Sequence, residues 1–241
     1  MKTYVIGDVH GRLWLLKRLL SEIPIDCKSD KIIFLGDLID RGENAPGVVE
    51  EVIRLRKGNP QVICIRGNHE QMLLNFIKEG DLVWLLPANG GMKTLSQYGC
   101  RIEETGGFSN LRIPSKHIDF FNSLPLYHED DLGLYVHAGV TPGLHPADED
   151  AEFLLWSRSA DFYENYNGKR CFFGHTPAMY LPNAHTRNRS DIYICNRAIG
   201  IDTGFGDEDP LSCLELETGT LHQAFPDRPV ESKQVVLPEI S

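Results

Sequence analysis

Asp8, His10, Asp37, Asn68, His137 and His175 form a mixed oxygen and nitrogen donor set with no cysteine in it. Carboxylate, amide and imidazole donors suit divalent first-row metals. Six of them are enough for two ions that share one carboxylate. Each donor lies next to or near a glycine, in Gly7-Asp8-Val9-His10-Gly11, Gly36-Asp37, Gly67-Asn68, His137-Ala138-Gly139 and Gly174-His175. Glycine lets a chain turn sharply and approach a ligand closely.

Each donor also closes an apolar run that reads as a buried strand. Thr3–Ile6 runs into Asp8, Ile32–Leu35 into Asp37, Gln61–Ile65 into Asn68, Leu134–Val136 into His137, and Cys171–Phe173 into His175. One charged ending alone reads as a turn and a helix cap. Five in one chain do not, because isolated charges beside a core are costly without a metal or counter-charge. Ligands of open α/β sheets bind outside the carboxyl ends of the strands.

Between these strands the apolar spacing is helical over Leu13–Ile23, Gly47–Lys57 and Glu70–Glu79. Pro24 and Gly58-Asn59-Pro60 stop the first two. The resulting β-α-β-α-β-α order predicts parallel strands with covering helices. Residues 80–125 break the pattern with two short helices, Met92–Tyr98 and Ser115–Leu124, and with Asn89-Gly90-Gly91 and Gly106-Gly107. They read as an insertion capping the site within a single domain spanning 1–241. Strands then dominate: Leu126–His128, Leu134–Val136, Cys171–Phe173, Ile192–Cys195, Ala198–Ile201, Leu211–Leu216 and Leu221–Phe225. Thr218-Gly219 reads as a hairpin turn. The polar tail from Pro226 is expected to lie loosely on the surface.

A net charge of −10 argues against a general nucleic-acid binder. It leaves a phosphorylated substrate open, since bound metals and a few arginines make a local positive site. The chain enters a strand at once, with no apolar leader and no run able to span a bilayer, so a cytoplasmic protein is expected. In that compartment Cys27, Cys64, Cys100, Cys171, Cys195 and Cys213 are expected as reduced thiols.

In order, GDVHG, GDLIDRG, GNHE, HAG and GHT resemble the motifs of the calcineurin-like metallophosphoesterases. Within that family they are most similar to the phosphoprotein phosphatase type, the Ser/Thr protein phosphatases of bacteria and phage lambda. They run from Gly7 to Thr176. Asn89-Gly90-Gly91, Leu155-Trp156-Ser157-Arg158 and Gly200-Ile201-Asp202-Thr203-Gly204 add to the likeness. The resemblance implies a four-layer α-β-β-α sandwich of two mixed sheets flanked by helices. It implies two divalent ions, Mn²⁺ first, with Fe, Zn, Ni or Co as alternatives. Asp8 and His10 would hold the first ion, Asp37 would bridge, and Asn68, His137 and His175 would complete the second site. His69 would be the general acid, oriented by Asp40. Arg41, Arg66 and Arg158 would hold phosphate oxygens.

The activity so implied is hydrolysis of phosphoserine or phosphothreonine in a protein, or of a small phosphoester. Two alternatives stand beside it. One is a symmetrical dinucleoside polyphosphate hydrolase, such as a diadenosine tetraphosphatase, which shares these motifs. Glu70 and Asp40-Arg41-Gly42 favour the protein phosphatase type, because the dinucleotide hydrolases more often carry Asp after the Asn-His pair. The other is a non-catalytic metal-binding regulatory module, disfavoured because every expected position is filled.

Overall fold

A computed structural model describes residues 1–102, 107–110, 112–206 and 208–240. In chain order the elements are β1 (Thr3–Ile6), α1 (Leu13–Glu22), β2 (Lys31–Phe34), α2 (Ala45–Gly58), β3 (Val62–Cys64), α3 (Asn68–Glu79), α4 (Gly91–Gln97), β4 (Arg101–Ile102), β5 (Phe108–Ser109), α5 (Ser115–Ser123), β6 (Tyr127–Asp130), β7 (Gly133–Val136), α6 (Ala151–Trp156), α7 (Ala160–Asn165), β8 (Cys171–Phe173), β9 (Tyr193–Cys195), β10 (Ala198–Gly200), β11 (Leu211–Glu215), β12 (Thr220–Ala224) and β13 (Glu231–Gln234).

Two mixed sheets carry the molecule. The first has the order β13-β12-β11-β1-β2-β3, and the second β6-β7-β8-β10-β9. β1, β2 and β3 are parallel, with β11 antiparallel to β1. β7, β8 and β10 are likewise parallel. Side chains alternate along each central strand, as the pleat requires. Tyr4, Ile6, Ile32 and Phe34 face α1, α2 and α3, while Val5, Ile33 and Leu35 face the other sheet. There they meet Tyr135, Phe172 and Ile199. Leu134, Val136, Cys171 and Phe173 point outward under α6 and α7, against Leu154, Phe162 and Tyr163. The layers are therefore helix, sheet, sheet, helix, as expected.

Several details differ from the sequence reading. α3 begins at Asn68, so Asn68 and His69 sit in its first turn. α6 and α7 fill the stretch between β7 and β8. The insertion also contains the small β4–β5 pair; its Gly106 lies outside the described residues. The tail is not loose: β13 pairs with β12 through Thr220↔Gln234 to Gln223↔Glu231. Its residues are exposed on both faces, so no apolar face holds it: backbone pairing does, with side-chain bonds from Ser232 to His222, Lys233 to Asp191 and Gln234 to Thr220. The hairpin turn at Thr218-Gly219 joins β11 and β12, with Gly219 in the left-handed region. All six cysteines are free. Among the described residues no helix is long and apolar enough to cross a membrane.

Candidate metal centre

The carboxyl ends of β1, β2, β3, β7 and β8 converge, and the six donors converge with them. Asp37 is the hub. Its Oδ1 lies 3.4 Å from His137 Nε2, and its Oδ2 lies 3.6 Å from His10 Nε2 and 3.8 Å from His69 Nε2. Two groups of potential ligand atoms result, His10–Asp37–His69 and Asp37–His137–His175, each within 4.8 Å. Asp37 belongs to both. Asn68 Oδ1 joins the second group, 2.9 Å from His137 Nε2 and 3.1 Å from His175 Nδ1.

The loops hold these side chains in unusual backbone conformations. His10, Asp37, Asp40, Arg41 and His175 all have positive φ, from 45° to 70°. Left-handed conformations in non-glycine residues persist only where surroundings impose them. Here Asp37 O accepts the N–H groups of Val9 and His10, at 3.0 and 2.8 Å. His69 N–H donates to Asp37 Oδ1 at 3.1 Å. A Cβ on Gly67 would collide with the Asp37 carboxylate, and one on Gly174 with that of Asp8.

Tautomers are set from outside the cluster. His10 Nδ1 donates to Ile39 O at 3.0 Å, and His137 Nδ1 to Leu35 O at 2.7 Å. Each bond leaves an unprotonated Nε2 on the side of Asp37, the arrangement of an imidazole ligand. Burial, then the Arg41 charge, pushes His10 well down. Burial likewise lowers His137, and takes His175 to about 2, helped by His137 and Arg158. Neutral imidazoles are what a cation needs.

The carboxylates carry the opposite strain. Burial raises Asp8, with Asp202 and Asp37 adding repulsion. Burial also lifts Asp202 to about 6 and Glu70 to about 7. Burial would raise Asp37 too, but His137, His69, His10 and His175 outweigh it and hold it low. Asp8 Oδ2 accepts the His175 N–H at 3.0 Å, while its Oδ1 and His175 Nε2 are buried without a hydrogen-bond partner among the described residues. Buried carboxyl oxygens that burial and mutual repulsion disfavour as anions, unprotonated imidazole nitrogens and an orphaned carboxylate oxygen fit divalent cations.

His69 and Asp40 form a dyad. His69 Nδ1 lies 2.6 Å from Asp40 Oδ2. Burial lowers the His69 pKa, but Asp37 and Asp40 prevail and raise it. Arg41 Nη1 lies 2.5 Å from His10 Nε2, and its guanidinium stacks 4.0 Å above the Phe205 ring. Arg158 Nη1 donates to Thr176 Oγ1 at 3.0 Å, beside His175. Arg66 is bonded to protein groups: Nη1 donates to Gln71 Oε1 at 2.8 Å and Nη2 to Asn122 O at 3.0 Å.

Other residues that build the centre went unassigned in the sequence reading. Glu70 is fully buried and accepts N–H bonds from Asp37, Leu38 and Gly67. Arg12 spends its guanidinium on the carbonyls of Asp8, Val9 and Asp209. Half-exposed Phe205 and Trp156 set ring edges against His10 and His175. Glu70 closes the GNHE motif, but its bonds, like the roles of Arg12, Phe205 and Trp156, show only in three dimensions. Of the remaining histidines, His117 is buried between Tyr98 and Glu50, and His222 bonds Ser232.

A serine/threonine-protein phosphatase 1 of Salmonella typhimurium is 37% identical over 192 residues, covering 76% of this chain and 83% of that protein. A symmetrical bis(5'-nucleosyl)-tetraphosphatase of Coxiella burnetii is 29% identical over 205 residues, 80% of this chain. The matched region spans only 60% of that relative's length. A solved structure described as a putative diadenosine tetraphosphatase superposes with a TM-score of 0.65 at 18% identity, over 96% of this chain and 92% of that one. The family model of the calcineurin-like phosphoesterases matches residues 1–179, and the chain belongs to that family.

Proposed function

We propose that this chain is a two-metal phosphoric monoester hydrolase acting on phosphoserine or phosphothreonine in proteins. The observation that carries this reading is the His69–Asp40 dyad at the edge of two ligand groups that share Asp37. Asp8, His10 and Asp37 would hold one ion, and Asp37, Asn68, His137 and His175 the other. Two divalent ions there, Mn²⁺ first, would supply Lewis-acid activation of a water and of the phosphoryl oxygens.

The chain's own residues do the rest. Arg41 reaches the cluster with a planar fork that suits two phosphate oxygens. Arg158 approaches from the side of His175. His69 fixes its Nδ1 proton on Asp40, which turns Nε2 toward the centre. A proton on Nε2 can then pass to the leaving oxygen as the P–O bond breaks. An alkoxide is a poor leaving group, and this transfer is what a serine or threonine ester needs. His69 Nε2 also stands with His10 and Asp37 in one ligand group; its bond to Asp40 favours the proton-donor role.

The second reading is a dinucleoside polyphosphate hydrolase, favoured by the names of the Coxiella relative and of the superposed structure. Glu70 and the higher identity to the Salmonella phosphatase support the first. Turnover of a phosphothreonine peptide and of diadenosine tetraphosphate, each with Mn²⁺, separates them. The proposal expects the larger kcat/KM on the peptide. A clear preference for the dinucleotide overturns it.

A further inference from the structure

The Asn89-Gly90-Gly91 turn contributes no metal ligand, yet it brings α4 against the Asp40–Gly42 turn. A Cβ on Gly90 would stand 2.8 Å from the Arg41 nitrogen, and one on Gly91 would collide with Trp84 O. Gly90 also has φ +84°. Glycine is needed at this approach. From there α4 grips the turn. Lys93 Nζ donates to Arg41 O at 2.9 Å, and Gln97 Nε2 to Gly42 O at 2.9 Å.

Thr94 does more. Its Oγ1 accepts the Asp40 N–H at 3.1 Å and donates to Asp40 Oδ1 at 2.6 Å. Trp84, in the short 3₁₀ turn Leu82–Leu85, donates Nε1 to Asp40 Oδ2 at 2.8 Å. Asp40, Thr94 and Trp84 are all buried. The carboxylate that orients His69 therefore accepts from three side chains. With three donors from three elements it has one orientation.

We propose that Trp84 and Thr94 are positioning residues for the His69 proton donor, and that segment 81–97 serves the reaction through Asp40. The inference rests on the reading of His69 as the leaving-group acid. Without either donor the carboxylate is free to turn from His69 Nδ1, and the imidazole loses its fixed aim. The loss falls on substrates whose leaving group must be protonated. It spares the capture of phosphate, which Trp84 and Thr94 do not touch.

The test uses the metal-loaded full chain with Thr94→Val, Trp84→Phe, Thr94→Ser and, as control, His69→Asn. The readout is the ratio of kcat on a phosphothreonine peptide to kcat on p-nitrophenyl phosphate, whose leaving group needs little protonation. General acid catalysis is worth about 10²–10⁴-fold, so partial misalignment is expected to lower the ratio about tenfold in Thr94→Val and Trp84→Phe. Thr94→Ser keeps the hydroxyl and restores the ratio. If His69→Asn lowers the ratio but Thr94→Val and Trp84→Phe leave it unchanged, the positioning role is overturned and the acid stands. If His69→Asn leaves the ratio unchanged, the acid reading fails and this inference with it. In the chain loaded with diamagnetic Zn²⁺, the His69 Nδ1 proton resonance gives a reading that needs no turnover. It is expected far downfield in wild type and Thr94→Ser, and shifted upfield in Trp84→Phe. An unmoved resonance in Trp84→Phe also overturns the role.

Discussion

Glu70 reaches across from the first turn of α3 and accepts the Asp37 N–H at 2.9 Å. Its second oxygen takes the Leu38 N–H at 2.8 Å, and the Gly67 N–H closes the set at 2.9 Å. One fully buried carboxylate thus ties the loop after β2 to the loop after β3. The first loop supplies Asp37 and Asp40, and the second leads into the first turn of α3, which supplies Asn68 and His69. Backbone donors satisfy this carboxylate, and among the described residues no basic side chain is bonded to it.

Glu70→Gln is expected to loosen both loops. The carboxamide presents an NH₂ group to N–H donors, leaving at least one of them unpaired. A buried unsatisfied donor costs about 1–3 kcal/mol. Denaturant unfolding is expected to show a loss of that size, and metal titration a weaker affinity. Unchanged stability with unchanged metal affinity contradicts this role.

The arginines are expected to differ from one another. Arg41→Ala removes a fork aimed into the centre and leaves the ligands in place. A charged hydrogen bond is worth roughly 1.5–3 kcal/mol, which is about a 10- to 150-fold loss in kcat/KM. Arg66 is already bonded to Gln71 and Asn122, so Arg66→Ala is expected to cost less. Steady-state kinetics with metal content measured alongside checks the order. Equal losses for both, or none for Arg41→Ala, contradict it.

Asp130 joins the two sheets, since its Oδ2 meets Lys31 Nζ of β2 at 2.8 Å. Its Oδ1 accepts from the N–H groups of Leu132 and Gly133. Burial pushes Asp130 up, but His128, Lys31 and the Leu132 N–H outweigh it and hold its pKa low. A depressed folded pKa stabilises above the unfolded value of about 4 and is lost as pH falls through the folded one. Asp130→Asn is expected to cost about 1–3 kcal/mol near neutral pH. The gap to wild type is expected to narrow as pH drops below about 4. A gap independent of pH contradicts the linkage.

The central strands were legible because each is a short apolar run closed by glycine and a polar residue. Asp37, Asn68 and the histidines were legible because charge and imidazole stood where core should end. β13 was not: Glu231–Gln234 are polar on both faces, and backbone pairing leaves no periodic trace. Asn68 and His69 were placed before α3 rather than in it, since neither favours a helix interior. The support of Asp40 was hidden as well. Trp84 and Thr94 lie 44 and 54 residues from it in sequence, and only the fold brings them together. The Asn89-Gly90-Gly91 turn was visible as a likeness, but its purpose, close approach to Arg41, needs coordinates.

The most direct test of the two-ion account is the number of metal ions bound per chain, with activity, in wild type and Asp37→Asn. Asp37 is the one side chain in both ligand groups. Wild type, loaded with Mn²⁺ and freed of excess, is expected to carry two ions. Asp37→Asn is expected to lose at least one of them, along with phosphatase activity. Two ions and full activity in Asp37→Asn would contradict the account.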